Sequence, residues 1–426
     1  MVIDMLREII KNLDPVVIEK ANRKFGITRI LKKYDGKPVY IKDVDGFEVV
    51  GNLCSRDTLS KIFNVDKKNF IFFMLKAMEN EKNAKLNINN NLKNKYNVLP
   101  PEKLNEFPIP IYYEKDAGAY ITSGVVIAYD EDFGYNLSIH RILVKEDHLV
   151  IRMVEQRHLH FLYNKALEEK GYLDIAIVMG VHPAVLLAGA TSGDITFNEL
   201  KFASALLGGE MDVFEIDNGL LVPEAEIIIQ GKILREMDDE GPFVDITGTY
   251  DIVRKQPIIR VEKIYSKEKP IIHALLPGGI EHKTLMGMPQ EPRILKGVRN
   301  TIPTVKNVIL TEGGCCWLHA VIQIDKRTEG DGKNAILAAF ASHPSLKHVV
   351  VVDDDINIFD INDVEYAIAT RVQGDKDIIV IPGAKGSSLD PSSDLKNKLT
   401  AKVGIDATMS LIKGREHFER AKIPEE

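Results

Sequence analysis

The sequence predicts a multidomain protein of mixed α+β and α/β class. An N-terminal α/β region covers 1–108, a central strand-rich region 109–303 and a C-terminal α/β region 304–426. Three observations predict this. A chain of 426 residues is too long for one small core and long enough for two or three domains. Its texture changes near Ile109, where short β-branched runs take over, and again after Thr304, where strands and helices alternate. Its composition, 45% apolar and 27% charged, is that of an ordinary globular protein.

In the first region Met5, Leu6, Ile9, Ile10 and Leu13 fall at helical spacing, with Asp4 as N-cap. KPVYIK and FEVVGNL read as strands and the segment around Thr58–Phe63 as a helix. Between Glu79 and Asn97 the Asn- and Lys-rich sequence reads as a solvated helix end and loop. In the central region GAYITSGVVIAYD, HLVIRMV, LDIAIVMGV, AEIIIQGKI and QPIIRVEKIYS read as strands between Gly, Asp and Pro turns, with helices at Phe161–Lys170 and near Asn198–Leu207. Many strands with few helices predict a sheet or barrel-like domain. In the last region VKNVILTE, WLHAVIQID, HVVVVDDDI and DIIVIPG are strands, and Gly332–Phe340 and Val364–Thr370 are helices.

With 55 Lys+Arg against 62 Asp+Glu the formal charge is −7, which argues against a nucleic-acid binder. Three cysteines, with Cys315 and Cys316 adjacent, give neither a disulfide framework nor the CxxC spacing of a zinc site. MVIDMLREIIKNL has no apolar core followed by small residues, so no signal peptide is expected. The apolar stretch Tyr172–Thr191 contains Asp174, His182 and Pro183 and reads as strand, turn and helix start rather than a membrane span. A cytosolic protein is expected.

Several groups could carry chemistry. Asn136 offers a hard oxygen ligand and Arg141 a fork for carboxylate or phosphate, although a turn Asn and a surface Arg would look the same. In Gly208-Gly209-Glu210 the carboxylate is a candidate Mg²⁺ or Mn²⁺ ligand, or an exposed Glu after a helix C-cap. Glu240 and Asp245 bracket a Gly-Pro turn and could shuttle a proton, or simply be a polar turn. His158 and His160, two apart, would face different ways on a helix. Asp353-Asp354-Asp355 ends a strand and reads as a structural turn in preference to a metal site.

Taken in order, Asn136-xxxx-Arg141, Arg152-Met-Val, Arg157-His158, Gly-Gly-Glu210, VPEAEIIIQG, Glu240-GPF-x-Asp245 and VVVVDDDINIFDINDVEYAIATR resemble the UbiD family of decarboxylases. VGNLCSRDTLSKIF and KVGIDAT extend the resemblance over nearly the whole chain. It implies a central split β-barrel flavin-binding domain flanked by α/β regions. It also implies prenylated FMN, supplied by a separate flavin prenyltransferase, with Mn²⁺ or Mg²⁺ and often K⁺, and a homo-oligomer.

By position, the resemblance gives Asn136 and Glu210 to the metal, with Gln156 or His158 as a third ligand. It gives Ile139, His140, Arg141, Arg152, Met153, Val154, Arg157 and His158 to the flavin. Arg141, Glu240 and Asp245 would be the catalytic network, with Asp245 as proton donor. The TEGGCCWLHAVIQI block resembles a shorter, archaeal branch that converts trans-anhydromevalonate 5-phosphate to isopentenyl phosphate and CO₂. Such a small phosphorylated unsaturated acid needs a cation beyond Arg141, and Lys283 and Arg293 are candidates. Decarboxylation of an aromatic acid such as a polyprenyl-4-hydroxybenzoate is the alternative. A non-catalytic flavin-binding protein is the third reading.

Overall fold

The structure is a computed structural model that describes residues 5–394 and 396–421. Asp4, read as an N-cap, lies outside the described residues; the helix it would cap runs Met5–Asn12. The chain forms two compact units, Met1–Leu285 and Met286–Glu426.

The first unit is built on an antiparallel nine-stranded sheet. Its order is 119–121, 142–144, 149–151, 254–266, 227–240, 173–179, 125–130, 134–139, with 97–99 paired to 254–266 off this path. The β-branched runs read from the sequence supply its inner face: Val126, Ile175, Ile177, Ile229, Ile233, Ile259 and Ile264 are all fully buried. Its two longest strands, Ile227–Glu240 and Arg254–Ser266, slip register at Gln230/Gly231 and Ile233/Met237. Such bulges increase local twist. The sheet curls into a half-barrel and does not close. The segment Tyr172–Thr191 is a strand, Leu173–Met179, followed by the helix Pro183–Ala190, which His182 caps by accepting from Ala184 N at 3.0 Å.

A second sheet takes 16–20, 39–44 and 47–51 from the N-terminal region and 271–273 from far along the chain. Its hairpin turns on Asp45-Gly46, both at positive φ, the pairing that a two-residue turn favours. A third sheet corrects one expectation. Lys85–Ile88, read as part of a solvated loop, is a strand hydrogen-bonded in parallel to Glu210–Val213. Its Lys and Asn side chains are exposed, so pairing comes from the backbone and leaves little apolar signature.

The second unit has a five-stranded sheet in the order 305–310, 319–324, 348–353, 399–407, 378–385. The first pair is antiparallel, joined by the TEGGCCW loop without a helix. Helices Asp331–Ser342 and Ile361–Arg371 follow. The structural reading of Asp353–Asp355 holds: Arg371 Nη1 donates to Asp353 Oδ2 at 3.2 Å and Nη2 to Asp355 Oδ2 at 2.6 Å, tying helix to strand. Trp317 is buried, its Nε1 donating to Ser387 Oγ at 3.2 Å and its ring edge-on to His343. Among the described residues no helix is long and apolar enough to cross a membrane.

Candidate active site

Arg141 stands between strands Gly134–Ile139 and Ile142–Val144, and Glu240 ends the long strand Ile227–Glu240. Arg141 Nε donates to Glu240 Oε1 and Nη2 to Oε2, both at 2.8 Å, a bidentate pair. Nη2 also donates to Asp251 Oδ2 at 2.9 Å. Asp245 Oδ2 lies 3.7 Å from Nη1, within ion-pair range and beyond a hydrogen bond. Glu240 is fully buried, so each of its oxygens needs a partner. The Tyr120 hydroxyl donates to Oε1 at 3.2 Å and accepts from Gly241 N at 3.1 Å.

Burial works against the charge on Arg141. Glu240, with Asp251 and Asp245, outweighs that, and the guanidinium pKa sits above its usual value. Burial would also favour neutral Asp251, but Arg254 and Arg141 hold its carboxyl down at about 2.

Asp245 is carried by a small hairpin, Phe243–Val244 paired with Tyr250–Asp251. Its N–H donates to Thr249 O at 3.0 Å, its carbonyl accepts from Gly248 N at 2.8 Å, and its Oδ1 accepts from Ile246 N at 2.7 Å. The side chain is 23% exposed. Entry to the hairpin requires Gly241, at φ 93°, where a Cβ would meet Ile252 O at 2.8 Å.

The expected flavin contacts fall on two adjoining segments. Residues 139–141 meet 152–154 through Arg152 N donating to Arg141 O at 3.1 Å and His140 Nδ1 donating to Arg152 O at 2.8 Å. His140 Nε2 faces Ser138 Oγ at 2.8 Å, and burial lowers its pKa to about 4, so the ring is neutral. Ile139 is half-buried, Met153 buried and Val154 half-exposed. The Arg152 side chain bonds the Met153 carbonyl rather than a carboxylate. Burial, then Arg254 and Arg141, depress its pKa. Three neighbouring guanidinium groups suit an anionic ligand. Arg157, exposed, precedes the helix His158–Glu169, where burial and then Arg157 lower the His158 pKa. Gln156 is exposed at φ 64°.

For the metal, the structure gives Asn136 a different partner. Glu210 follows Gly208 and Gly209, both at positive φ and closing the helix Glu199–Leu206; it then opens a strand, 65% exposed and 3.7 Å from Lys85 Nζ. That is the helix C-cap and exposed Glu of the alternative reading. The carboxyl beside Asn136 is Glu199, nearly fully buried, hydrogen-bonded to the Asn136 side chain and accepting from Leu137 N at 3.2 Å. Burial, with Glu81 nearby, pushes its pKa up to about 8. A buried acid driven toward its neutral form beside a hard amide oxygen fits a divalent cation, which would restore the carboxylate. Among the described residues no group of three or more His, Cys, Asp or Glu is arranged to hold a metal ion.

Four further residues near the network escaped the sequence reading. Asp251 and Tyr120 hold it together, as above. His282 Nδ1 accepts from Gly278 N at 3.0 Å, which leaves the proton on Nε2; burial lowers its pKa against the pull of Asp245. Asp116 accepts from Tyr113 N at 2.8 Å and Tyr112 N at 3.2 Å, and burial raises its pKa to about 6. None has a motif; only YDIVR, with Asp251 and Arg254 three apart, hints at a pair. Of the two candidate phosphate cations, Lys283 is half-buried next to His282, and Arg293 is exposed on the helix Glu291–Arg299 of the second unit.

Residues 87–280 match the 3-octaprenyl-4-hydroxybenzoate carboxy-lyase Rift-related domain of the UbiD family, and 283–407 match the C-terminal domain. The chain is 84% identical over 420 residues, 99% of its own length and all of the relative's, to an anhydromevalonate phosphate decarboxylase of Methanocaldococcus jannaschii. It is 49% identical to the Methanosarcina mazei protein of the same name, covering 94% of each chain. Its fold is similar to that of the UbiD-class enzyme HmfF from Pelotomaculum thermopropionicum in complex with FMN. There the TM-score is 0.94 and the identity 37%, over 98% of this chain and 97% of that one.

Proposed function

From the premise that the chain belongs to the UbiD family and is one of its decarboxylases, we propose that it converts trans-anhydromevalonate 5-phosphate to isopentenyl phosphate and CO₂ with prenylated FMN. The identity of 84% to a relative named for that substrate supports the choice of acid. One observation carries the mechanism: of the three acids around Arg141, only Asp245 lacks a guanidinium hydrogen bond. Glu240 and Asp251 are engaged by the Arg141 guanidinium, and the role of proton donor falls to Asp245.

Prenylated FMN, when bound, supplies the electron sink that lets a carboxylate leave an unsaturated carbon. The chain supplies the rest. Nη1 of Arg141, which faces Asp245, receives the substrate carboxylate. After CO₂ departs, Asp245 gives its proton to the carbon that bore the carboxylate. Its partly exposed side chain takes a proton back from water. Residues 139–141 and 152–154 would line the flavin, and Arg152, Arg157 and His158 would be offered to its anionic groups. Asn136 and Glu199 would hold Mn²⁺ or Mg²⁺, with K⁺ as a candidate second ion of the cofactor site. Lys283 is the cation offered to the substrate phosphate. A flavin prenyltransferase delivers the cofactor, copies of the chain assemble, and the enzyme works in the cytosol.

The test is turnover. Protein co-expressed with a flavin prenyltransferase is expected to form isopentenyl phosphate from trans-anhydromevalonate 5-phosphate. A loaded protein that ignores this acid and decarboxylates an aromatic one would overturn the substrate. Metal content tests the ligand set separately. Glu199→Gln is expected to lose most bound Mn²⁺ by elemental analysis, while Glu210→Gln keeps the wild-type amount. The reverse result restores Glu210 as the ligand.

A further inference from the structure

Arg141 has five N–H donors, and the structure shows how they are distributed. Glu240 takes Nε–H and one hydrogen of Nη2, and Asp251 takes the other hydrogen of Nη2. Three bonds to two carboxylates fix both the position and the plane of the guanidinium. The two hydrogens of Nη1 are left, on the corner nearest Asp245. Asp251 is itself gripped by Arg254, whose Nη2 donates to Oδ1 at 2.9 Å and whose Nη1 bonds Oδ2. Asp251 also forms the stem of the hairpin whose turn carries Asp245. One side chain thus ties the orientation of Arg141 to the placement of the acid.

We infer that Asp251, held by Arg254, is a positioning residue for the decarboxylation: it sets the Arg141 guanidinium so that Nη1 and Asp245 address the same substrate carbon. The inference rests on the reading in which Arg141 holds the carboxylate and Asp245 gives the proton. Asp251 does not touch the substrate and acts through Arg141. It also adds negative charge near Asp245, partly balanced by Arg254. Further charged or titratable groups facing this cluster are Glu240 of the sheet, Asp116 near Arg141, and His282 of the helix Ile280–Gly287, itself flanked by Glu281 and Lys283.

The experiment compares wild-type, Asp251→Asn and Arg254→Gln holoenzymes, loaded with prenylated FMN, by the pH dependence of kcat/KM and by crystal structure. Asp251→Asn is expected to lower kcat/KM about tenfold as Arg141 turns off its present plane. Removing that negative charge moves the alkaline limb of kcat/KM down by about half a pH unit. Arg254→Gln leaves Asp251 unbalanced and moves the limb up. A residue that merely supports the hairpin would lower activity without moving the limb in opposite directions.

Asp251→Glu, which keeps the charge, is expected to recover part of the loss. Wild-type kcat/KM and an unmoved limb in Asp251→Asn overturn the inference. If that variant fails to fold, an unmoved limb in Arg254→Gln overturns it instead. Should the wild-type holoenzyme not turn over the phosphorylated acid, the substrate reading alone falls. The crystal structure of Asp251→Asn then decides, and an unmoved Arg141 counts against the inference.

Discussion

Asp245→Asn is expected to lower kcat for decarboxylation by about a thousandfold while substrate affinity stays within a few-fold of wild type. The amide preserves the acceptor for Ile246 N and hence the turn, so the hairpin and Arg141 keep their places. What it removes is a transferable proton, and a positioned general acid contributes on the order of 10²–10⁴ to such a step. A kcat/KM that falls with KM unchanged is the signature of an interaction made only as the reaction proceeds. Single-turnover measurement of CO₂ release against product formation localises the defect to the protonation that follows. A variant that keeps wild-type kcat would remove Asp245 from the mechanism.

Arg141→Lys is the second large effect, and it differs in kind. A lysine ammonium is a point charge and cannot span both oxygens of Glu240 while reaching Asp251. The expected loss in kcat/KM is about a thousandfold, in the range reported for removing a preorganised charge donor. Stability falls as well, because fully buried Glu240 keeps only its Tyr120 partner for part of its charge. Breaking a buried pair costs roughly 3–5 kcal/mol when one partner is removed. Thermal denaturation of Arg141→Lys, with Asp245→Asn as the control that spares the pair, separates the two roles. Equal melting temperatures in both variants would contradict the buried-pair account.

The residues that were legible in the sequence share a property: their chemistry is local or their pattern is dense. Glu240 and Asp245 flank one Gly-Pro turn, Arg141 follows a recognisable strand, and the β-branched runs announced the central sheet. Asp251 was illegible because its meaning lies in Arg141, 110 positions earlier. Glu199 sits where any helix welcomes an acid, in its first turn, so nothing in the helix read near Asn198–Leu207 marked it as a buried carboxyl. Glu210 looked more informative because two glycines preceded it, yet those glycines terminate a helix. The strand Lys85–Ile88 contributes hydrogen bonds and almost no buried side chain, which periodicity cannot detect. The strand Leu399–Ala407, quoted for its motif alone, takes its place in the second sheet from neighbours on both sides.

The sole tryptophan, Trp317, is packed against His343 and Ser387 in the unit Met286–Glu426, while Arg141, Glu240, Asp245 and Asp251 all belong to the other unit. Its emission is therefore a clock for the second unit only. The Arg141 cluster joins segments about a hundred residues apart, and such long loop closures make a sheet slow to complete. In a refolding time course tryptophan emission follows the second unit and is silent on the first. The return of catalysis keeps time for the Arg141 cluster.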